Sequence, residues 1–272
     1  MLYKIIMLYS IDNIKGENDM RKMRFMDEAR KLIDKIEATQ AEKLEQAAEL
    51  YANAIANDGL VHLYGNGHSG IGVYETFPRI GSMVGFHPLI EQSLVNYSAV
   101  VGLNGLRQNQ HLERLEGFAE QILVNFDFGP HDVIVCFSST GINGVVVDMA
   151  LGAKKRGLKV IAVTSVEHQM ATESRHSSGK RLCEIADVVI DNCTPPGDAM
   201  IHIDGLDAPV SPGSSLAAVT IVQTLNAMTA EKLLERGYKP IVLPSMHFKG
   251  DTSVNETIDL YYSETKRRYK NI

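Results

Sequence analysis

The chain has no tryptophan, only three cysteines, and no apolar run long enough to span a bilayer. Cys136, Cys183 and Cys193 are odd in number and lack a CxxC spacing. Neither a disulfide framework nor a cysteine-based zinc site organises such a chain, and the thiols read as inert groups in a reducing cytoplasm. Positive charge is also in deficit: 27 Lys and Arg face 33 Asp and Glu, for a net charge of -6 and a pI near 5.9. That field draws neither nucleic acid nor an anionic membrane, so any anion site must be local. No GxxxxGK[ST] occurs, which removes the P-loop as a phosphate device. The opening MLYKIIMLYSI is short, carries Lys4 inside it and lacks a small-residue cleavage pattern, so it makes a poor signal peptide. Residues 1–24 read as an N-terminal extension.

At 272 residues, 44% hydrophobic and 22% charged, the chain suffices for one large domain over 25–272. Five short apolar runs, Leu60–Tyr64, Val84–Glu91, Val133–Phe137, Lys159–Thr164 and Asp187–Asp191, read as buried strands. Helical spacing marks Phe25–Asn57 (one long helix or two packed ones), Gly70 to about Met83, His111–Phe126, Asn143–Lys155, Ser214–Arg236 and a terminal stretch near Glu256–Lys270. Gln92–Gln110 and Asn192–Pro212 read as long loops, and Ser165–Lys180, with His168 and His176, as a solvated polar segment. Each connection between strands is long enough for a crossover. The expected fold is α/β, a three-layer αβα sandwich around a five-stranded parallel sheet.

Two strand-to-helix turns draw attention. Ser138, Ser139 and Thr140 end one strand, Gly141 permits a tight turn, and Asn143 stands where a helix cap belongs. Hydroxyls beside exposed helix-start amides hold a phosphate without a lysine, although the same residues also make an ordinary cap. The turn Gly65-Asn66-Gly67-His68-Ser69-Gly70 is literally GxGxxG after a strand, with Glu91 as a loose ribose partner, so a nicotinamide site has to be weighed. Against it stand a long helix before the strand, the hydroxyl of Ser69 within the turn, and the second hydroxyl-rich turn at Ser138. In a parallel sheet both turns fall on the carboxyl edge, where ligands bind.

Taken together, GNGHS, SSTGIN and the SPGSS helix start resemble the sugar isomerase (SIS) domain of phosphosugar isomerases and phosphosugar-binding regulators. The likeness runs from about Phe25 to Gly237, and its first turn looks like the GNGGS of phosphoheptose isomerases. The family's Ser-x-Ser-Gly-x-Thr stands here as Ser138, Thr140, Gly141 and Asn143. The resemblance implies a sugar phosphate as ligand and a homodimer or homotetramer, while the net charge speaks against a nucleic-acid or membrane partner and the cysteines for the cytoplasm. Ser69, Ser138, Ser139, Thr140, Asn143, Ser214 and Ser215 are the expected phosphate ligands. Phosphoheptose isomerases carry a zinc-site His and Glu one turn apart after the first turn, and those places hold Glu75 and Arg79 here. No metal and no other cofactor is therefore expected.

Aldose–ketose isomerisation through an enediol(ate) needs a base beside a carbonyl and a second proton carrier. Glu75, His68 and Glu91 are the candidates, and His247 reads as part of a solvated tail. Two alternatives use the same turns: a non-catalytic sugar-phosphate sensor, and a lyase or deaminase acting on amino-sugar phosphates.

Overall fold

A computed structural model describes residues 23–76, 78–102, 105–245 and 253–271. His247 and residues 1–22 lie outside the described residues. Five strands form one parallel sheet in the order β2-β1-β3-β4-β5: β1 (Val61–Gly65), β2 (Phe86–Leu89), β3 (Val133–Phe137), β4 (Lys159–Thr164) and β5 (Val188–Asp191). Alternation along the strands feeds two cores. Leu63, Val133, Val135 and Phe137 face the long helices α1 (Arg24–Ala56) and α10 (Ser214–Glu235). Tyr64, Ile134 and Cys136 face α6 (Phe118–Leu123), α7 (Gly144–Lys155) and α9 (Leu182–Ile185). The sandwich is thus the three-layer one the sequence pattern implies, because a strand buried on both sides needs a helix layer on each. Among the described residues, no helix is long and apolar enough to cross a membrane.

α1 is a single 33-residue helix. Leu32, Ile36, Leu44, Ala47, Ala48, Tyr51 and Ile55 recur at helical spacing and are buried against α10 and the sheet, which holds it continuous. Its carboxyl end is closed from far away. Arg268, at the end of α11 (Ser253–Arg268), donates to the carbonyls of Gly59 (2.9 Å) and Ile55 (3.1 Å), placing a cation where the helix dipole is negative.

Several boundaries differ from the sequence expectation. The helix after the first turn, α2, spans only Gly70–Thr76, since Pro78 has no amide to continue it. Gln92–Gln110 is not a loop: it holds α3 (Gln92–Val95), α4 (Tyr97–Val101) and the start of α5 (Gly105–Leu112), each too short to show a period. The helix expected over His111–Phe126 is broken between α5 and α6, where Gly117 takes φ +84°. The polar segment Ser165–Lys180 opens with a short helix, α8 (Val166–Met170), capped by the Ser165 hydroxyl. Asn192–Pro212 contains an antiparallel pair, β6 (Ala199–Ile201) and β7 (Val210–Pro212).

At the amino end of the sheet, a polar chain runs through the interior. Asp132 accepts from the amides of Leu60 (2.8 Å) and Gly129 (2.7 Å) and from His62 Nε2 (3.1 Å). A carboxylate only accepts, so His62 Nε2 carries a proton, and His62 Nδ1 and His87 Nδ1 share the next hydrogen bond at 2.9 Å. Burial, with His62 as a neighbour, pushes the His87 imidazole down to about 3. A histidine neutral in the folded state and ordinary in the unfolded one makes unfolding take up a proton between those two values. Its stabilisation is whole above about pH 6.5 and is lost as pH falls toward 3, at roughly 1.4 kcal/mol per pH unit. His87→Gln is expected to flatten the pH dependence of urea unfolding by about one proton between pH 4 and 6. An unchanged slope would place the proton uptake elsewhere.

Candidate active site

The order β2-β1-β3-β4-β5 makes the chain leave β1 and β3 in opposite lateral directions, so a crevice opens between their carboxyl ends. Gly65 is paired with Phe137, which sets the turn after β1 beside the turn after β3. Both turns need glycine. A Cβ on Gly65 would meet the carbonyl oxygen of Ser69 at 2.6 Å, and one on Gly141, at φ +59°, would overlap the side-chain amide of Gln169.

A cavity of about 320 Å³ fills the crevice. From the sequence-derived set it brings together His68, Ser69, Ser138, Ser139, Thr140, Asn143 and Ser214. Ser138 Oγ accepts from the Gly141 amide at 3.0 Å, and Ser139 Oγ accepts from Asn192 Nδ2 at 2.9 Å. Each hydroxyl, used by the protein as an acceptor, keeps its own proton for a ligand. Among the described residues, the hydroxyls of Ser69 and Thr140, the His68 ring and the backbone amides of Ser139 and Thr140 have no protein partner. Asn66, also at the cavity, sets its side-chain amide against the buried Tyr64 hydroxyl.

Other expected residues are engaged elsewhere. Glu75 faces α10, pairing with Arg79 at 3.1 Å and accepting from Gln223 Nε2 at 2.8 Å, outside the cavity. Glu91 caps α3, accepting from the Ser93 amide (3.0 Å) and hydroxyl (2.8 Å). At the α10 start, Asp198 takes the Ser214 amide (2.8 Å), the Ser214 hydroxyl (2.6 Å) and the Gly213 amide (3.2 Å). The chain's own carboxylate thus holds the donors counted there for phosphate, and Ser215 does not line the cavity.

Two carboxylates line the cavity: Asp198, taken up by Gly213 and Ser214, and Glu113, which is not. The break between α5 and α6 carries Glu113 there, and Gly144 lets its segment sit tightly on the α7 start: a Cβ on Gly144 would meet the carbonyl oxygen of Arg114 at 2.6 Å. Burial raises the Glu113 carboxyl above the ordinary glutamate range, against the hydrogen bond from Asn143 and the charges of Arg114 and Arg175. Arg114 and Arg175 also line the cavity, the latter from the segment read as merely solvated. Asn143 occupies the N-cap position of α7, yet its side chain makes no cap hydrogen bond. The sequence hid Glu113 because helical spacing in HLERLEGF continues past it; Gly117 was the only sign of a break.

A sequence profile of the SIS domain matches residues 24–165. A UPF0309 protein of Thermoanaerobacter pseudethanolicus is 34% identical over 249 residues, 90% of this chain and 98% of that protein. One of Listeria monocytogenes is 33% identical over 237 residues, 87% of this chain and 95% of that protein. Among solved structures, phosphoheptose isomerase from Neisseria gonorrhoeae aligns at 19% identity over 75% of this chain and 92% of its own, with a TM-score of 0.46.

Proposed function

This chain belongs to the SIS domain family, and from that premise we propose that it binds a sugar phosphate in the cavity and interconverts its aldose and ketose forms through an enediolate. The observation that carries the reading is Glu113, a half-buried carboxyl raised above the ordinary glutamate range by burial, in a cavity it shares with the hydroxyls of Ser69, Ser138, Ser139 and Thr140. Such a group is a competent base for a proton beside a carbonyl, and in its protonated form returns that proton to the neighbouring carbon.

The remaining parts divide by chemistry. Hydroxyls of Ser69, Ser138, Ser139 and Thr140, with the amides of Ser139 and Thr140, suit a phosphate dianion, and Arg175 adds a cation. The role of moving a proton between the two sugar oxygens falls to His68, a reading supported by its ring lining the cavity without a protein partner among the described residues. Self-association into two or four copies belongs to the same reading. So does a single domain over 25–272, because Arg268 closes the end of α1.

The test is a panel of sugar phosphates in deuterium oxide, followed by NMR. At least one is expected to lose its C2 proton signal to solvent. The double variant Ser138→Ala, Thr140→Ala should bind that compound roughly 100-fold more weakly, since two hydrogen bonds to a charged group are lost. Unchanged affinity would remove the cradle. Tight binding with no exchange for any compound would replace the isomerase by a sensor.

A further inference from the structure

We infer that Asn143 is a positioning residue for Glu113 rather than a phosphate ligand, and that Arg175 sets which way its amide faces. The inference rests on reading Glu113 as the base. Asn143 Oδ1 accepts from Arg175 Nη1 at 3.0 Å, and Asn143 Nδ2 donates to Glu113 Oε2 at 3.1 Å. A guanidinium can only donate and a carboxylate can only accept, so the pair permits one orientation of the amide and no other. An N-cap asparagine normally spends its oxygen on the helix amides; here that oxygen is held by Arg175 and the amides at the α7 start are left to others. One of them, Val145 N–H, donates to the Glu113 carbonyl at 3.0 Å, which fixes the backbone beneath the carboxylate.

Both ends of the relay are anchored. The Arg175 amide donates to the Ile142 carbonyl at 2.9 Å, His176 Nε2 meets Asp148 Oδ1 at 2.8 Å, and the Ser177 amide donates to Glu116 Oε1 at 2.7 Å. These contacts tie the Arg175 segment to α7 and to the break that carries Glu113. The charged and titratable groups facing Glu113 are Arg114 on its own segment, Arg175 across Asn143 and Tyr64 from β1, with His68 and Asp198 lining the same cavity. Only Asn143 hydrogen-bonds to the Glu113 carboxylate among the described residues. It is therefore the group that aims the carboxylate, and with Arg114 and Arg175 it offsets part of the rise that burial imposes.

Protein carrying carbon-13 at the glutamate carboxyls reports the Glu113 titration directly, with Glu113→Gln identifying the signal. Asn143→Ala is expected to raise the Glu113 midpoint by about one pH unit. Asn143→Asp should raise it further, because it keeps the acceptor for Arg175 and sets a second carboxylate against the first. Arg175→Ala should raise it in the native background and by less in the Asn143→Ala background, the signature of action through the amide. The acid limb of C2 proton exchange should move with the midpoint while KM stays within about threefold. A midpoint unmoved in both Asn143 variants, with native circular dichroism, overturns the inference. So does a loss of inorganic phosphate affinity in Asn143→Ala without a midpoint shift, which would restore Asn143 as a phosphate ligand. Equal Arg175→Ala shifts in both backgrounds would remove Arg175 from the relay. If the midpoint moves but no sugar phosphate exchanges a proton, the positioning stands and the proposed reaction falls.

Discussion

Glu113→Gln should slow proton exchange at C2 by about 100- to 10,000-fold while leaving sugar-phosphate binding within a few-fold. The substitution removes the base but keeps an oxygen to accept from Asn143 Nδ2, which the native carboxylate does at 3.1 Å. Folding should not suffer. A carboxyl raised in the folded state binds its proton more tightly there than in the unfolded chain, so stability falls as pH rises from the unfolded value through the folded one and stays lower above it. At pH 7 the neutral variant is expected to melt at the same temperature or slightly higher, which separates lost chemistry from lost structure. In the native protein the exchange rate should fall on the acid side, at a midpoint above that of an ordinary glutamate, because the working form is the ionised one. Exchange persisting within tenfold of native in Glu113→Gln would move the base to another group, with His68 the next in the cavity.

The largest stability effect is expected at the opposite end of the sheet. Asp132→Ala strands three donors at once, the buried amide of Leu60, buried His62 Nε2 and the part-buried amide of Gly129. A loss of about 3–5 kcal/mol in urea unfolding is expected, since each orphaned donor costs on the order of 1–3 kcal/mol and partial relaxation returns some of it. Burial alone would raise this carboxyl, but the hydrogen bonds from His62, Gly129 and Leu60 outweigh it and hold it below the usual carboxylate range. A depressed carboxyl contributes stability that is whole above about pH 4 and disappears as pH falls through the lower folded value. The gap between Asp132→Ala and the native protein should therefore narrow below pH 4. A gap under 1 kcal/mol at pH 7 would mean that water replaces the carboxylate.

The sheet was legible because its signals are local. Val133–Phe137 and Lys159–Thr164 are β-branched runs bounded by turn residues, and their strands fall where the pattern puts them. So were the two glycine turns, since Gly65 and Gly141 stand where no side chain fits. The carboxylates were not legible. Glu91 sits just past a strand in sequence, but Ser93 two residues on offers an amide and a hydroxyl that claim it as a cap. Glu75 is turned to α10 by Gln223, 148 residues away, and no local pattern announces such a partner. Glu113 hid inside an apparently continuous helix, and its exposure to the cavity depends on a break that hydrophobic spacing does not register. Asn143 showed the opposite failure: its position was read correctly, while its side chain answers to Arg175 and Glu113 instead of its own helix.

Arg268 reaches Gly59 across 209 residues of chain. A contact of that span forms only after the intervening sheet has brought its partners together, so it contributes little to the folding transition state and much to the native state. It is expected to act as a brake on unfolding, lengthening the lifetime of the folded molecule while leaving the speed of folding nearly untouched.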